Sequence, residues 1–168
     1  MRSPLYIFFI AGKKTMTEFA ETSRKTGNVT FTPCLQEGKP FIASVEDVNI
    51  PFEPSAFGGD GTESRKSICF QGVSEELIQQ LINTERSIEV TSSCIKDNLV
   101  RCKINMEKVR CFDSTRRRVE TPPSLRGWHA NVMVHVKGKW QTRQGCGLTL
   151  EVTDIQLIEA AREPTCPW

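Results

Sequence analysis

The alternation of apolar and polar positions is clearest between Trp128 and Ile158. Ala130, Val132, Val134 and Val136 alternate with Asn131, Met133, His135 and Lys137, the period of two expected of a half-buried strand. Lys139, Trp140 and Arg143 stand near a turn, after which Leu148, Leu150 and Val152 resume the pattern. The second strand slips phase near Thr153–Asp154, ahead of Ile155 and Leu157, as a bulge would cause. This segment predicts a hairpin of two long strands. Upstream, Leu99 to Met106 alternates as well, with Val100, Cys102, Ile104 and Met106 inward and Arg101, Lys103 and Asn105 outward. Lys108, Arg110 and Phe112 extend that outward set as a cationic and aromatic row opposite Val109 and Cys111.

Further strands are expected at Val29 to Pro33, Phe41 to Ile50 and Ser67 to Gln71, the first two separated by the Gly38–Pro40 turn. The pattern changes to a helical period at Ser74 to Asn83. Ser74 is a natural N-cap, Glu75 and Glu76 favour the first turn, and Leu77, Ile78, Leu81 and Ile82 form one apolar stripe. Residues 51–64 and 113–127 read as loops from their prolines, glycines and charges, and the second carries Arg116, Arg117 and Arg118. Residues 1–28 read as a flexible N-terminal extension, 29–158 as one domain and 159–168 as a tail. Within the extension, residues 1–15 are expected to be dispensable and to follow from an upstream start codon. A short edge strand or a partner-binding arm is the alternative. No strand–helix alternation runs through the chain, which argues against a parallel α/β sheet. The element order predicts a mainly β protein with one helix, an OB-fold-like Greek-key barrel.

At 168 residues the chain fits a single domain. A domain of about 150 residues buries roughly 68–70% of its unfolded surface, so a sizeable core is expected. The net charge of +2 conceals a polarity: residues 1–97 hold ten basic and thirteen acidic side chains, whereas residues 98–168 hold twelve and seven. Between Arg101 and Arg143 only Glu107, Asp113 and Glu120 oppose eleven basic residues. Such asymmetry suits a polyanionic partner, the bland reading being a solvated basic face.

Seven cysteines include no C-x-x-C pair, which sets aside zinc ribbons and thioredoxin-type chemistry and suits a reducing intracellular compartment. His129 and His135 are read as lying on opposite faces of one strand, so no shared metal is expected. No cofactor is expected either. The phosphate-loop, G-x-S-x-G, H-E-x-x-H and dinucleotide signatures are absent from the sequence, and the Gly58–Gly61 run lacks a lysine and a strand-to-helix setting. The chain is read as a non-enzyme. Leu5 to Ala11 is apolar but far too short to span a bilayer as a helix, so no membrane partner is expected.

What remains is binding. Lysine and arginine supply salt-dependent affinity for phosphates, and aromatic rings stack on bases at about 1–3 kcal/mol each. Arg101, Lys103, Lys108, Arg110, Lys137, Lys139 and Arg143 are the candidate cations, with Arg116, Arg117 and Arg118 either a funnel or a solvated loop. Trp128, Phe112 and Trp140 are the candidate stacking rings and His135 joins the outward face; the alternative for Trp140, beside a tight turn, is to plug the barrel end as core, and Phe112 also fits a core role.

The segment PFEPSAFGGDGTESRKSICF (51–70), with VHVKGKWQTRQGCGLTLEVTDIQL (134–157), resembles the OB-fold single-stranded-DNA-binding proteins of DNA viruses and virus-like mobile elements. The shared features are a proline-bracketed Phe-x-Pro-Ser-x-Phe-Gly loop, then Lys-Gly-x-Trp, a spacer and Gly-Leu opening the last strand. They span roughly residues 41–158. The resemblance implies sequence-independent coating of single strands during viral DNA replication or recombination, without catalysis, with replication proteins and further copies of the chain as companions. The near-neutral EAAREPTCPW end departs from the acidic recruiting tail of that family. Two rivals stay open: a small virion or protein-interaction β-domain, and a duplex or RNA binder using the same charges.

Overall fold

A computed structural model of the chain describes residues 6–10, 13–56 and 64–160. In chain order its elements are β1 (Tyr6–Ile10), β2 (Lys13–Phe19), β3 (Arg24–Thr26), β4 (Val29–Gln36), β5 (Lys39–Asn49), β6 (Ser55–Ala56) and β7 (Arg65–Gln71). Then follow α1 (Glu75–Ile88), β8 (Ile95–Lys96), β9 (Leu99–Asn105), β10 (Arg110–Phe112), β11 (Arg118–Val119), β12 (Trp128–Gln141) and β13 (Cys146–Ala160).

Five strands close on themselves. β12 pairs with β5, β5 with β7, β7 with β9, β9 with β13, and β13 returns to β12. Counted along the chain, the ring runs first, second, third, fifth, fourth and back to the first. Only the third-to-fifth contact is parallel. This is the OB-fold-like Greek-key barrel that the element order predicts. Inside it, the alternating residues Val48, Ile68, Phe70, Ile104, Val132, Val136, Leu150, Val152 and Ile155 are buried. They leave a void of only about 10 Å³, so a ligand must lie on the outer surface. Helix α1 joins the second and third ring strands, and Leu77 and Leu81 on its apolar stripe enter the core.

Two irregularities set the outward faces. β13 slips by one residue between the pairs Val134–Val152 and Met133–Asp154, leaving Thr153 as the extra residue of the expected bulge. β12 slips in turn between Val136 and Gly138, and there its neighbour changes from β5 to β4. A side chain at Gly138 would collide with β4, its Cβ running into the Thr32 carbonyl oxygen.

Three expectations need correction. Residues 13–28 are not a free extension: β2 and β3 pair with β4, and Thr17 and Phe19 are buried. Their pairing runs through backbone hydrogen bonds, which the polar side chains of β3 do not reveal. Residues 6–10 form the edge strand held as the alternative, paired with β2. The helix continues past Asn83 to Ile88. Its polar last turns are satisfied internally, since Thr84 Oγ1 donates to the Gln80 carbonyl and the buried Glu85 carboxylate accepts from the following loop. The last strand reaches Ala160 rather than ending at 158. Residues 1–5, the Gly58–Gly61 run, and 161–168 with Cys166 lie outside the described residues.

Candidate nucleic-acid interface

The outer surface of β7 and β9 carries two adjoining hollows of about 330 and 820 Å³, which merge at Ser67, Ser92, Ser93, Cys94 and Arg101. One end of the resulting groove is bounded by Trp140 and Thr149, the other by Phe52 and Leu99. The pairing of β7 with β9 sets Cys69 beside Arg101 and Ser67 beside Lys103, placing both cations in the outward phase. Arg101 Nε donates to Ser67 Oγ at 2.7 Å, a neutral partner that leaves the guanidinium charge uncompensated at that contact. Lys103 is half-buried. Burial holds its ammonium below the usual lysine range, Arg65 and Lys137 add to that shift, and Glu151 opposes it.

The loop after α1 forms the groove wall and is held from two sides. Glu85 accepts from Ser93 Oγ at 2.7 Å and from the Cys94 amide at 2.9 Å. The amides of Thr91 and Ser92 donate to the Cys146 carbonyl, and the Cys146 amide donates to Thr91 Oγ1 at 2.9 Å. Gly147 permits this closeness, because a Cβ there would lie 2.8 Å from Trp140 Nε1 and 2.9 Å from the Ser92 carbonyl oxygen. On the far side, Glu53 accepts from Ser124 Oγ and from the amides of Leu125 and Arg126 at 2.6–2.8 Å. Desolvation raises its carboxyl pKa, but these donors and Lys66 outweigh that and bring it below the usual range. The neighbouring Phe52 ring is 57% exposed.

The β12 slip decides which hairpin residue joins the groove. Unbroken alternation would place Lys139 with Lys137 and turn Trp140 away. After the slip Lys139 pairs with the buried Leu148, and Trp140 pairs with Gly147, in phase with the groove residue Thr149. Arg101, Lys103 and Trp140 are therefore brought together. Lys137 and His135 flank them across Glu151, which accepts an ion pair from Lys137 at 3.0 Å.

Other candidates lie elsewhere. The expected row from Arg101 to Phe112 is broken by the turn at Met106–Lys108. β10 restarts further along β13, so Arg110 sits beside Asp154 and pairs with it at 2.6 Å. Arg110, Phe112 and Arg116 line a separate hollow of about 490 Å³ with Asn131, Met133 and Asp154. Asp113 folds the arginine loop by accepting from Thr115 and the Arg117 amide, and Arg118 pairs with Phe112 on β11. Lys108 and Arg143 are exposed on turns.

Trp128 packs against the core, sharing the phase of Ala130, and its Nε1 donates to the Ser124 carbonyl at 3.2 Å; it is not a free stacking ring. His129 and His135 share one phase, being six residues apart, which places them about 20 Å from each other along the strand. His129 faces Asp47 at 3.5 Å, whereas His135 pairs with Ile42 and Glu151. Phe52 was legible as an aromatic residue in a proline-bracketed loop, although no cation marked that loop as a site. Ser92 and Ser93 carry no sequence signal of this kind.

The groove lies over the second and third strands of a closed five-stranded barrel, the face on which OB-folds hold oligonucleotides; its two cations stand on the third strand and its indole on the fourth. No family model and no curated protein matches this chain. Among solved structures, the chain is similar to the C-terminally truncated single-stranded DNA-binding protein from bacteriophage Enc34. The TM-score is 0.55 at 14% identity, over 86% of this chain and 98% of that one. It is also similar to the Enc34 protein in complex with single-stranded DNA, with a TM-score of 0.51 at 13% identity over 88% and 100%. At these identities the likeness is one of fold, and it falls on the kind of protein that the sequence resembles.

Proposed function

We propose that this protein binds single-stranded DNA without regard to sequence, in the groove across β7 and β9, and performs no chemistry on it. The observation that carries the reading is the meeting of Arg101, Lys103 and Trp140 along one open groove. Cations neutralise phosphates with release of counterions, and the indole offers a base a stacking surface. That a phage protein of the same fold is known in complex with single-stranded DNA supports the same ligand here. The biological setting we infer is protection of strands exposed in viral DNA replication or recombination. A reducing intracellular site is supported by six free thiols among the described residues. Of these, Cys34 is pushed up to about 12 by burial and then by Glu18, so it stays protonated.

Titration with oligo-dT while following tryptophan fluorescence tests this reading. Quenching that weakens steeply between 0.05 and 0.2 M salt, roughly the range over which phosphate contacts are screened, is the expected result. Salt-independent quenching, or none, would overturn it. Competition with duplex DNA and RNA sets single-stranded DNA against its rivals, and preference for either competitor would redirect the assignment. The protein-interaction reading draws on the half-exposed Ile42 and the neighbouring Met133 face, and predicts an assembly in light scattering that oligo-dT does not alter.

A further inference from the structure

At the seam between the groove and the hairpin stands one carboxylate surrounded by cations. Glu151 pairs with Lys103 in the parallel register of β13 with β9, and with His135 in the antiparallel register of β13 with β12. Its Oε2 lies 3.0 Å from Lys137 Nζ, and both side chains remain partly open to solvent. Arg65 lies close enough to influence Lys103. The cluster therefore holds one anion among cations contributed by three strands. A carboxylate offers two oxygens sharing a single negative charge, as a phosphodiester does through its two non-bridging oxygens.

We propose that Glu151 is a built-in competitor for the phosphodiester: it fills an anion site formed by Lys103 and Lys137, and must release Lys137 for a strand to bind there. The inference rests on the groove reading above. Glu151 then fulfils two purposes. In the free protein it keeps like-charged side chains ordered next to one another on the outer surface of the barrel. In the complex it limits affinity, because a phosphate gains Lys137 only by displacing an existing ion pair. An affinity limited in this way lets a coated strand be handed on.

The test compares wild type, Glu151→Gln, Lys137→Gln and the double variant for binding of oligo-dT across a salt series, with thermal melts as the folding control. One additional phosphate contact steepens the log–log salt slope by about 0.7 and, carried from 1 M to 0.1 M salt, tightens binding about 5-fold. Glu151→Gln is expected to do both. The gain should disappear when Lys137→Gln is added, since Lys137 is the cation released. A Glu151→Gln protein that melts like wild type and binds with unchanged slope overturns the proposal alone, as does a gain undiminished in the double variant. Failure of the wild type to bind oligo-dT overturns the groove reading, and the proposal with it.

Discussion

The barrel presents two outward hollows that share a composition and differ in electrostatics. The β7–β9 groove contains Arg101, Lys103, Trp140 and Phe52; the hollow between β5, β12, β13 and β10 contains Arg110, Arg116, Phe112 and Met133. Each pairs cations with an aromatic ring. In the first, the arginine contacts a serine hydroxyl. In the second, Arg110 is neutralised by Asp154 at 2.6 Å, and Glu46 lines the same surface. A phosphate reaching Arg110 must displace an ion pair in the presence of another carboxylate, whereas at the first groove Arg101 is open to it and the ion pair, Lys137 with Glu151, lies only at the flank. Cations counted along the sequence are thus a poor measure of cations available to a ligand, because partners across the sheet decide how much charge is left.

The largest effect should come from neutralising the first groove. In Arg101→Gln/Lys103→Gln two phosphate contacts are lost, so the salt slope should fall by about 1.4 and affinity for oligo-dT at 0.1 M salt by about 25-fold. Arg110→Gln/Arg116→Gln should change affinity less than about 2-fold, since Arg110 is already paired with Asp154 and Arg116 stands exposed on the loop beyond β10, outside the groove. Filter binding across a salt series reads both. Equal losses from the two double variants would abolish the distinction between the faces and extend the binding surface around the barrel.

Trp128 and Trp140 give the next test, because the structure assigns them opposite environments. Trp140 lines the groove over Gly147, whereas Trp128 is tied to Ser124 and packed against the core. Trp140→Ala should remove a stacking contact of about 1.4 kcal/mol, a tenfold loss of affinity, together with much of the fluorescence quenching. Trp128→Ala should leave affinity unchanged and lower thermal stability, since large-to-small core substitutions cost about 2–5 kcal/mol. A Trp128 variant that folds normally and binds weakly would show that the indole facing the core still reaches the ligand.

Strands β9, β12 and β13 were legible from their alternation, whereas β5 changes phase between Val45 and Val48. The bulge at Thr153 was legible because Ile155 and Leu157 fall out of phase with Val152. The slip at Gly138 was not. It arises where β4 crosses β12 closely enough to exclude a side chain, a contact between residues more than a hundred positions apart. That slip exchanges the phases of Lys139 and Trp140, which alternation along the sequence alone does not show. For the same reason, the row from Arg101 to Phe112 looked continuous: alternation persists through a turn whether or not the strand does. The N-terminal strands escaped notice because β3 is exposed throughout, and its backbone pairing with β4 leaves no hydrophobic pattern.

The smallest effect expected is a proton linkage at His135, at the edge of the first groove. Burial holds its imidazole below the ordinary value of 6.5, with Lys137 adding to the shift and Glu151 opposing it. In the free protein the folded state therefore binds this proton less readily than the unfolded chain, and stability declines as pH falls through 6.5 towards the lowered folded value. A phosphate lodged among Lys103, Lys137 and His135 reverses the local field and favours the protonated ring. Binding should then take up a proton, and oligo-dT affinity should rise as pH falls from 7.5 to 5.5, by at most the roughly 5-fold that one added cation supplies at 0.1 M salt. The two slopes have opposite sign, which distinguishes ligand linkage from loss of structure at low pH. His135→Gln should flatten both, in thermal melts of the free protein and in titrations at each pH. Persistence of the binding slope in that variant would move the linkage to another group and leave His135 outside the ligand's reach.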